Sequence, residues 1–100
     1  MDESLFHRLA EETLATLAEA LEPAFESGAL EDMECAGGVL TLTLPSGRVV
    51  VVSKHTASQQ IWLASPQLGG LHFRYHATAP HWQLPDGRNL EAVLQCALEE

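Results

Sequence analysis

The spacing of apolar residues changes near residue 30, and this change predicts the order of secondary structure along the chain. In residues 4–22 apolar side chains recur every three or four positions, which is typical of an amphipathic helix. Ser4 is predicted to cap its start, and Pro23 and Gly28 to end it. The apolar stripe covers an arc of about 140° on a helical wheel. It contains Phe6, Leu9, Ala10, Thr13, Leu14, Leu17 and Leu21.

From residue 30 onwards apolar and polar residues alternate with a period of two, which predicts short strands. Val39–Leu44 is the clearest case, because its leucines fall on one face and Thr41 and Thr43 on the other. Asn89 is predicted to cap a final helix with an apolar side. The other strands are predicted at 30–35, 48–53, 59–64 and 71–76 and around Trp82, with turns at 37–38, 45–47, 66–70 and 85–87.

This order of elements predicts the fold class. The connections between strands are too short for parallel crossovers, so the sheet should be antiparallel. Two helices with apolar stripes must then cover one face of that sheet. We therefore predict a single domain over residues 1–100, an α+β fold in which two helices pack on one face of a five- to six-stranded antiparallel sheet.

The negative charge of the chain is concentrated in its first third. Residues 1–34 hold ten of the fourteen acidic residues and one base, Arg8, whereas the four acids and four bases of residues 35–100 cancel. The net charge of −9 therefore belongs to residues 1–34. Such a field repels nucleic acid and anionic lipid and attracts cations or a basic protein surface.

Many of these acids form a stripe that we call the acidic ridge. Hard cations prefer carboxylate oxygens, but exposed acids one or two helical turns apart favour loose, hydrated sites over a preformed cage. The alternative is an ordinary solvated helix face. The absence of lysine before Lys54 favours the metal hypothesis, because a face kept for solubility normally mixes both signs. From the residues alone, the ridge consists of Glu12, Glu19, Glu22, Glu26, Glu31, Asp32 and Glu34.

Trp62 is a candidate for protein binding. Ile61 and Leu63 should face the helices, so Gln60 and Trp62 point to the uncovered face of the sheet. An exposed Trp is a typical interface anchor. Packing against Thr43 or His72 is the alternative.

Histidine and cysteine give weaker signals. His72 and His76 lie about 13 Å apart along one strand and cannot share an ion. His7, beside the acidic stripe, is the histidine we consider as an auxiliary ligand. Cys35 and Cys96 are expected to be packing residues, since neither a CxxC pair nor a nucleophile motif is present. We predict no catalytic residue.

The location is predicted from the same features. No apolar run reaches the roughly 20 residues that cross a bilayer. The acidic N-terminus does not resemble a secretion signal, and two cysteines do not form a disulfide framework. We expect a cytoplasmic protein.

Four stretches of the chain resemble the frataxin family. Residues 54–66, with the core Gln60-Ile-Trp-Leu63, and the following Gly69-Gly70-Leu-His-Phe73 resemble its central signature. The opening Ser4–Ala10 and the hairpin 37–43 are similar to its bacterial branch, called CyaY. The resemblance runs over essentially the whole chain in the expected order.

The resemblance implies a function. Members of the family bind ferrous and ferric iron weakly and exchangeably along an acidic ridge, and contact the cysteine desulfurase and the scaffold protein of iron–sulfur cluster assembly. Transferred by position, the resemblance adds Glu11 to the acidic ridge and implies that iron binds there. The ridge then has eight carboxylates, those of Glu11, Glu12, Glu19, Glu22, Glu26, Glu31, Asp32 and Glu34. The sheet contact would centre on Gln60 and Trp62, with Lys54, His55 and His72 around them. The resemblance implies a monomer without iron and oligomers driven by iron.

Some positions depart from the family pattern. Ser53, His55 and Ala57 replace residues common in relatives, and Pro23, Ala24 and Ala29 interrupt the acidic run, so fewer ions should bind. The sequence ends at Glu100 without the tail that many relatives lay against the helices, which predicts modest stability. Ferroxidase-type iron oxidation and storage, and a metal-independent interaction module that uses Trp62, remain as alternatives.

Overall fold

Helix, sheet and helix follow one another along residues 1–78 and 81–99, the part of the chain that the computed structural model describes. This order and the antiparallel sheet confirm the predicted fold class. The elements are α1 (Glu3–Glu26), β1 (Asp32–Ala36), β2 (Val39–Thr43), β3 (Val49–His55), β4 (Gln60–Ser65), β5 (Gly69–His76), β6 (His81–Gln83) and α2 (Leu90–Leu98).

The sheet is an antiparallel meander in which the order of strands is the order along the chain, β1 to β6. Alternation places one set of side chains, including Leu40, Leu42, Val50 and Val52, in the core. The opposite set forms a surface that no helix covers, which we call the open face. The register fixes which residues are neighbours there, for example Trp62 opposite Ser53 on β3 and His72 on β5.

Both helices pack on the same side of the sheet through the predicted apolar stripes. Phe6, Ala10, Leu14 and Leu17 of α1 are buried. Leu90, Val93, Leu94 and Ala97 of α2 are also buried and form the apolar side predicted for the final helix. Neither helix in the described ranges is long and apolar enough to cross a membrane.

Helix α1 is longer at both ends than predicted. Asp2 caps it instead of Ser4, because the Asp2 carboxylate accepts a 2.7 Å hydrogen bond from the Leu5 N–H and complements the positive end of the helix dipole. Pro23 lies inside the helix, so the prediction that it ends the helix was wrong. A proline removes one backbone donor, and the helix continues to Glu26, with half-buried Ala24 packed against the core.

The predicted turn at residues 66–70 is also shorter in the structure. Gly69 and Gly70 begin β5 and pair with Ser65 and Ala64. The turn occupies residues 66–68, where the Ser65 hydroxyl accepts a 2.8 Å hydrogen bond from the Leu68 N–H. A serine side chain therefore closes this turn. The two glycines, which were predicted to be part of the turn, belong to the strand.

Candidate functional site

All eight carboxylates of the acidic ridge are exposed to solvent, but they lie on different surfaces. Glu11 lines a small hollow beside the β1–β2 turn with Cys35 and Gly38. Glu12, one residue later, lines a cleft on the other side of α1 with Glu91. The helical period turns neighbouring side chains by about 100°, so the ridge is a broad band.

The strand carboxylates extend this band onto the open face. Asp32 and Glu34 lie opposite Thr43 and Thr41, which alternate with the core leucines of β2. Their side chains therefore leave the sheet on the side away from the helices. Glu31 precedes β1, and its N–H donates a 2.8 Å hydrogen bond to the Thr43 carbonyl. The ridge thus passes around the edge strand.

Lys54 lies on the helix side of the sheet, so its predicted place beside Trp62 is corrected. Lys54 lies two residues after the buried Val52 and four after the buried Val50, so alternation places all three on the same face of β3. On β4 it pairs with the buried Ile61. Its ammonium Nζ lies 3.0 Å from Glu11 Oε1 and 2.9 Å from His7 Nδ1. Alternation along β3 was the sequence signal that could have predicted the face on which Lys54 lies, though not its partners on α1.

This contact changes two candidate metal ligands. The hydrogen bond from Lys54, together with its positive charge, lowers the pKa of Glu11. The Nδ1 atom of His7 accepts the other Lys54 hydrogen bond, and its Nε2 lies 3.6 Å from Glu3. A cation that binds at Glu11 must therefore compete with Lys54, and we expect the remaining ridge carboxylates to hold metal more readily.

The spacing of the ridge excludes a preformed chelating site in the described residues. Within residues 1–78 and 81–99, no three His, Cys, Asp or Glu side chains form a group that could hold a metal ion. Bound cations would therefore keep most of their water ligands, which gives weak and exchangeable binding.

Trp62 forms the centre of a three-ring stack on the open face. The indole lies between the imidazoles of His55, with ring centroids 3.5 Å apart and planes at 18°, and His72, at 4.2 Å and 9°. Its Nε1–H donates a 2.8 Å hydrogen bond to Gln60 Oε1. The stack joins β3, β4 and β5 through cross-strand neighbours. Trp62 is therefore half-buried, and His72 packs against it, as one of the two hypotheses stated.

The stack leaves little of the indole ring for a partner. Both ring faces are covered by imidazoles and the N–H is already paired. Ser53 Oγ lies 3.0 Å from His55 Nε2 and helps to hold the outer ring. The surface offered to a partner is therefore the edge of the stack and the outer imidazole faces, which could not be predicted without the register.

We expect His55 to make stability depend on pH. Burial, and next the charge of His72, lower the pKa of His55 below its ordinary value of 6.5. The unfolded chain therefore binds a proton before the folded chain does. The free energy of unfolding should fall as the pH drops from about 6.5 to the lower folded pKa, and then become level with respect to this group.

Urea denaturation at a series of pH values measures this slope. His55→Gln should remove it, whereas the matched variant His76→Gln, at an exposed histidine of the same face, should keep it. The Glu11 carboxylate affects stability in a separate, more acidic pH range. Its contact with Lys54 stabilises the fold fully above the ordinary pKa of 4.5, and this stabilisation is lost as the pH falls through the lower pKa of Glu11 in the folded state. An unchanged slope in His55→Gln would contradict the assignment.

The two cysteines are exposed in the structure, so the expectation that they serve as packing residues was wrong. Cys35 lies at the edge of the sheet opposite Leu40, and Cys96 lies on the outer side of α2. Each cysteine lies at the edge of the apolar pattern of its own element. At such a position, whether a small side chain is buried depends on how closely the neighbouring element packs.

Comparisons with known proteins agree on one family. The family model of the frataxin-like domain matches residues 1–100. A CyaY-family frataxin from Psychromonas ingrahamii has 24% identity and a TM-score of 0.75, covering 98% of this chain and 89% of its own. A trimeric frataxin from the yeast Saccharomyces cerevisiae, complexed with ferrous iron, has 31% identity and a TM-score of 0.75, covering 87% and 79% respectively. Trimeric yeast frataxin with the full-length N-terminus has 28% identity and a TM-score of 0.76, covering 92% and 80%.

Proposed function

Because this chain belongs to the frataxin family, we propose that it binds iron and acts as an iron donor or regulator in iron–sulfur cluster assembly. The observation that carries the proposal is the acidic ridge, whose eight carboxylates are all exposed while residues 35–100 are electrically neutral. The complex of yeast frataxin with ferrous iron supports iron as the cation.

Iron binds along the ridge at separate, hydrated positions. Carboxylate oxygens suit both Fe²⁺ and Fe³⁺, and single carboxylates hold them weakly enough for transfer. Glu12, Glu19, Glu22 and Glu26 on α1 and the acids near β1 provide these positions. Glu11 contributes less, because Lys54 already neutralises it.

The same charge steers a protein partner onto the ridge. A negative field accelerates encounter with a basic surface and orients it, at a rate that falls with ionic strength. We assign this contact to the cysteine desulfurase. The scaffold protein binds the open face around Trp62, His55 and His72, where the buried Gln60 accepts the indole hydrogen bond. Lys54 lies on the helix side of the sheet and pairs with Glu11.

The protein works without a catalytic centre of its own. Iron oxidation at a paired site needs two ions about 3.5–4 Å apart, and the dispersed carboxylates favour single, hydrated ions. We propose that the chain is a cytoplasmic monomer without iron and that iron drives oligomers. The trimeric yeast frataxins support the second part.

A second candidate function is a metal-independent interaction module on the open face. The stack of His55, Trp62 and His72 favours it, because three rings held across three strands form a rigid surface feature. In this alternative the ridge only keeps the protein soluble.

An NMR titration distinguishes the two functions. Anaerobic addition of Fe²⁺ to ¹⁵N-labelled protein should broaden amide signals of the second half of α1 and of residues 31–34, and leave β4 and β5 unchanged. Later addition of the desulfurase should perturb the ridge again, less so at high salt. Spectra that do not respond to iron would contradict the proposal and favour the interaction module. Oxygen consumption during aerobic loading would favour the ferroxidase.

A further inference from the structure

Two histidines face each other across the last two strands of the sheet. His76 ends β5 and His81 begins β6, and the register pairs them directly. Their neighbours Tyr75 and Trp82 pair on the helix side, where Trp82 is buried. By alternation both imidazoles therefore lie on the open face. The sequence did not reveal this pair, because its spacing matches no metal motif.

Directly opposite positions on antiparallel strands suit a shared metal ion. Their Cβ atoms lie about 4.5–5.5 Å apart, and imidazole nitrogens bind Zn²⁺ at about 2.0–2.1 Å. Two imidazoles at that separation can reach one ion, unlike His72 and His76 along one strand. We propose that His76 and His81 bind one divalent transition-metal ion of the class that prefers imidazole, namely Cu²⁺, Ni²⁺ or Zn²⁺, with water completing the coordination.

Gln83 supports one of the two ligands. Its side-chain Nε2 lies 2.7 Å from His81 Nε2, on the same face of β6. Ligating histidines commonly have a polar partner on the other ring nitrogen, which fixes the tautomer and the orientation of the ring. When the amide turns its oxygen towards Nε2–H, the Nδ1 lone pair of His81 becomes available to the metal.

The chemistry of this site differs from that of the acidic ridge. Neutral imidazoles favour borderline metals, whereas carboxylates favour hard ions. Arg74, opposite Gln83 on the open face, places a positive charge beside the pair and disfavours weakly bound cations. Cu²⁺ should bind most tightly, in keeping with its position in the general order of divalent affinities.

Calorimetric titration with Cu²⁺, Ni²⁺ and Zn²⁺ tests the proposal. The exposed thiols are first removed in the variant Cys35→Ser with Cys96→Ser, since thiolates bind the same metals. In this background His76→Gln and His81→Gln should each weaken metal binding by at least about tenfold. Loss of a residue that only hydrogen-bonds to a metal ligand can already reduce metal affinity by about this factor. His72→Gln, on the same strand and face, should leave the affinity unchanged.

A second measurement identifies the ligands directly. The electron paramagnetic resonance spectrum of the Cu²⁺ complex should show coupling to two imidazole nitrogens, reduced to one in either variant. Equal affinity in all three histidine variants, or a spectrum without coupling to two imidazoles, would overturn the site. Failure would leave iron binding at the ridge untouched, because the two sites share no residue.

Discussion

Trp82→Ala should lower the free energy of unfolding by about 3–5 kcal/mol, the range for removing a buried aromatic side chain. The side chain is 2% exposed. It contacts Phe6 and Tyr75 edge to face, with ring centroids 5.9 and 5.3 Å away. Its Nε1–H donates a 2.8 Å hydrogen bond to Thr13 Oγ1. One residue thus joins the short strand β6 to helix α1.

Urea denaturation followed by circular dichroism measures this loss. Thr13→Val is the matched control, because it removes the hydrogen-bond acceptor and leaves the indole in place. We expect it to cost about 1–3 kcal/mol, the penalty for an unpaired buried donor. A Trp82→Ala variant as stable as Thr13→Val would show that the ring contacts contribute little.

Reversing three ridge charges should give the largest loss of binding. Glu19, Glu22 and Asp32 are exposed, so replacing all three with lysine should leave the fold intact. The net charge changes from −9 to −3, since each reversal adds two. We expect iron and desulfurase binding each to weaken by about tenfold or more, because ligands are lost and the steering field is reversed locally.

A second triple variant separates the ridge from net charge. Reversing Glu3, Glu99 and Glu100 to lysine also gives −3, and it leaves both the ridge carboxylates and the cleft that Glu12 shares with Glu91 unchanged. Equilibrium binding of Fe²⁺ and of the desulfurase at two salt concentrations is measured for both variants. If the ridge variant binds as the wild type does, the proposed function fails. Equal weakening in the two variants would assign the effect to net charge alone.

Local patterns in the sequence were sufficient to predict most of the fold. The period of two in Val39–Thr43 and in β4 and β5 places Leu42, Ile61 and Phe73 in the core, because burial of one sheet face enforces alternation. The ends of α1 were less predictable. Asp2 and Ser4 are caps of similar strength, so energies of about 1 kcal/mol decide between them. A proline inside a helix costs about 3 kcal/mol, so continuation past Pro23 depends on the packing of residues such as Ala24 against the core.

The candidate site could be predicted only as far as residue type allows. The ridge acids could be found from charge alone. The sequence could not show which of these acids has a hydrogen-bond partner, because Glu11 and Lys54 are 43 residues apart along the chain. The same limit applies to Trp62, whose exposure depends on the rings that the register places beside it. Side chains brought together by strand pairing are visible only after the pairing is known.

The meander also affects how the chain assembles. Every strand pairs with its neighbour along the chain, so each ladder closes a short loop and loses little chain entropy. The hydrogen bond between Trp82 and Thr13 closes a segment of 69 residues and belongs to the most distant contacts of the fold. Low contact order favours rapid folding. The sheet can therefore form from local hairpins, and the docking of helix α1 against β6 then joins the beginning of the chain to its end.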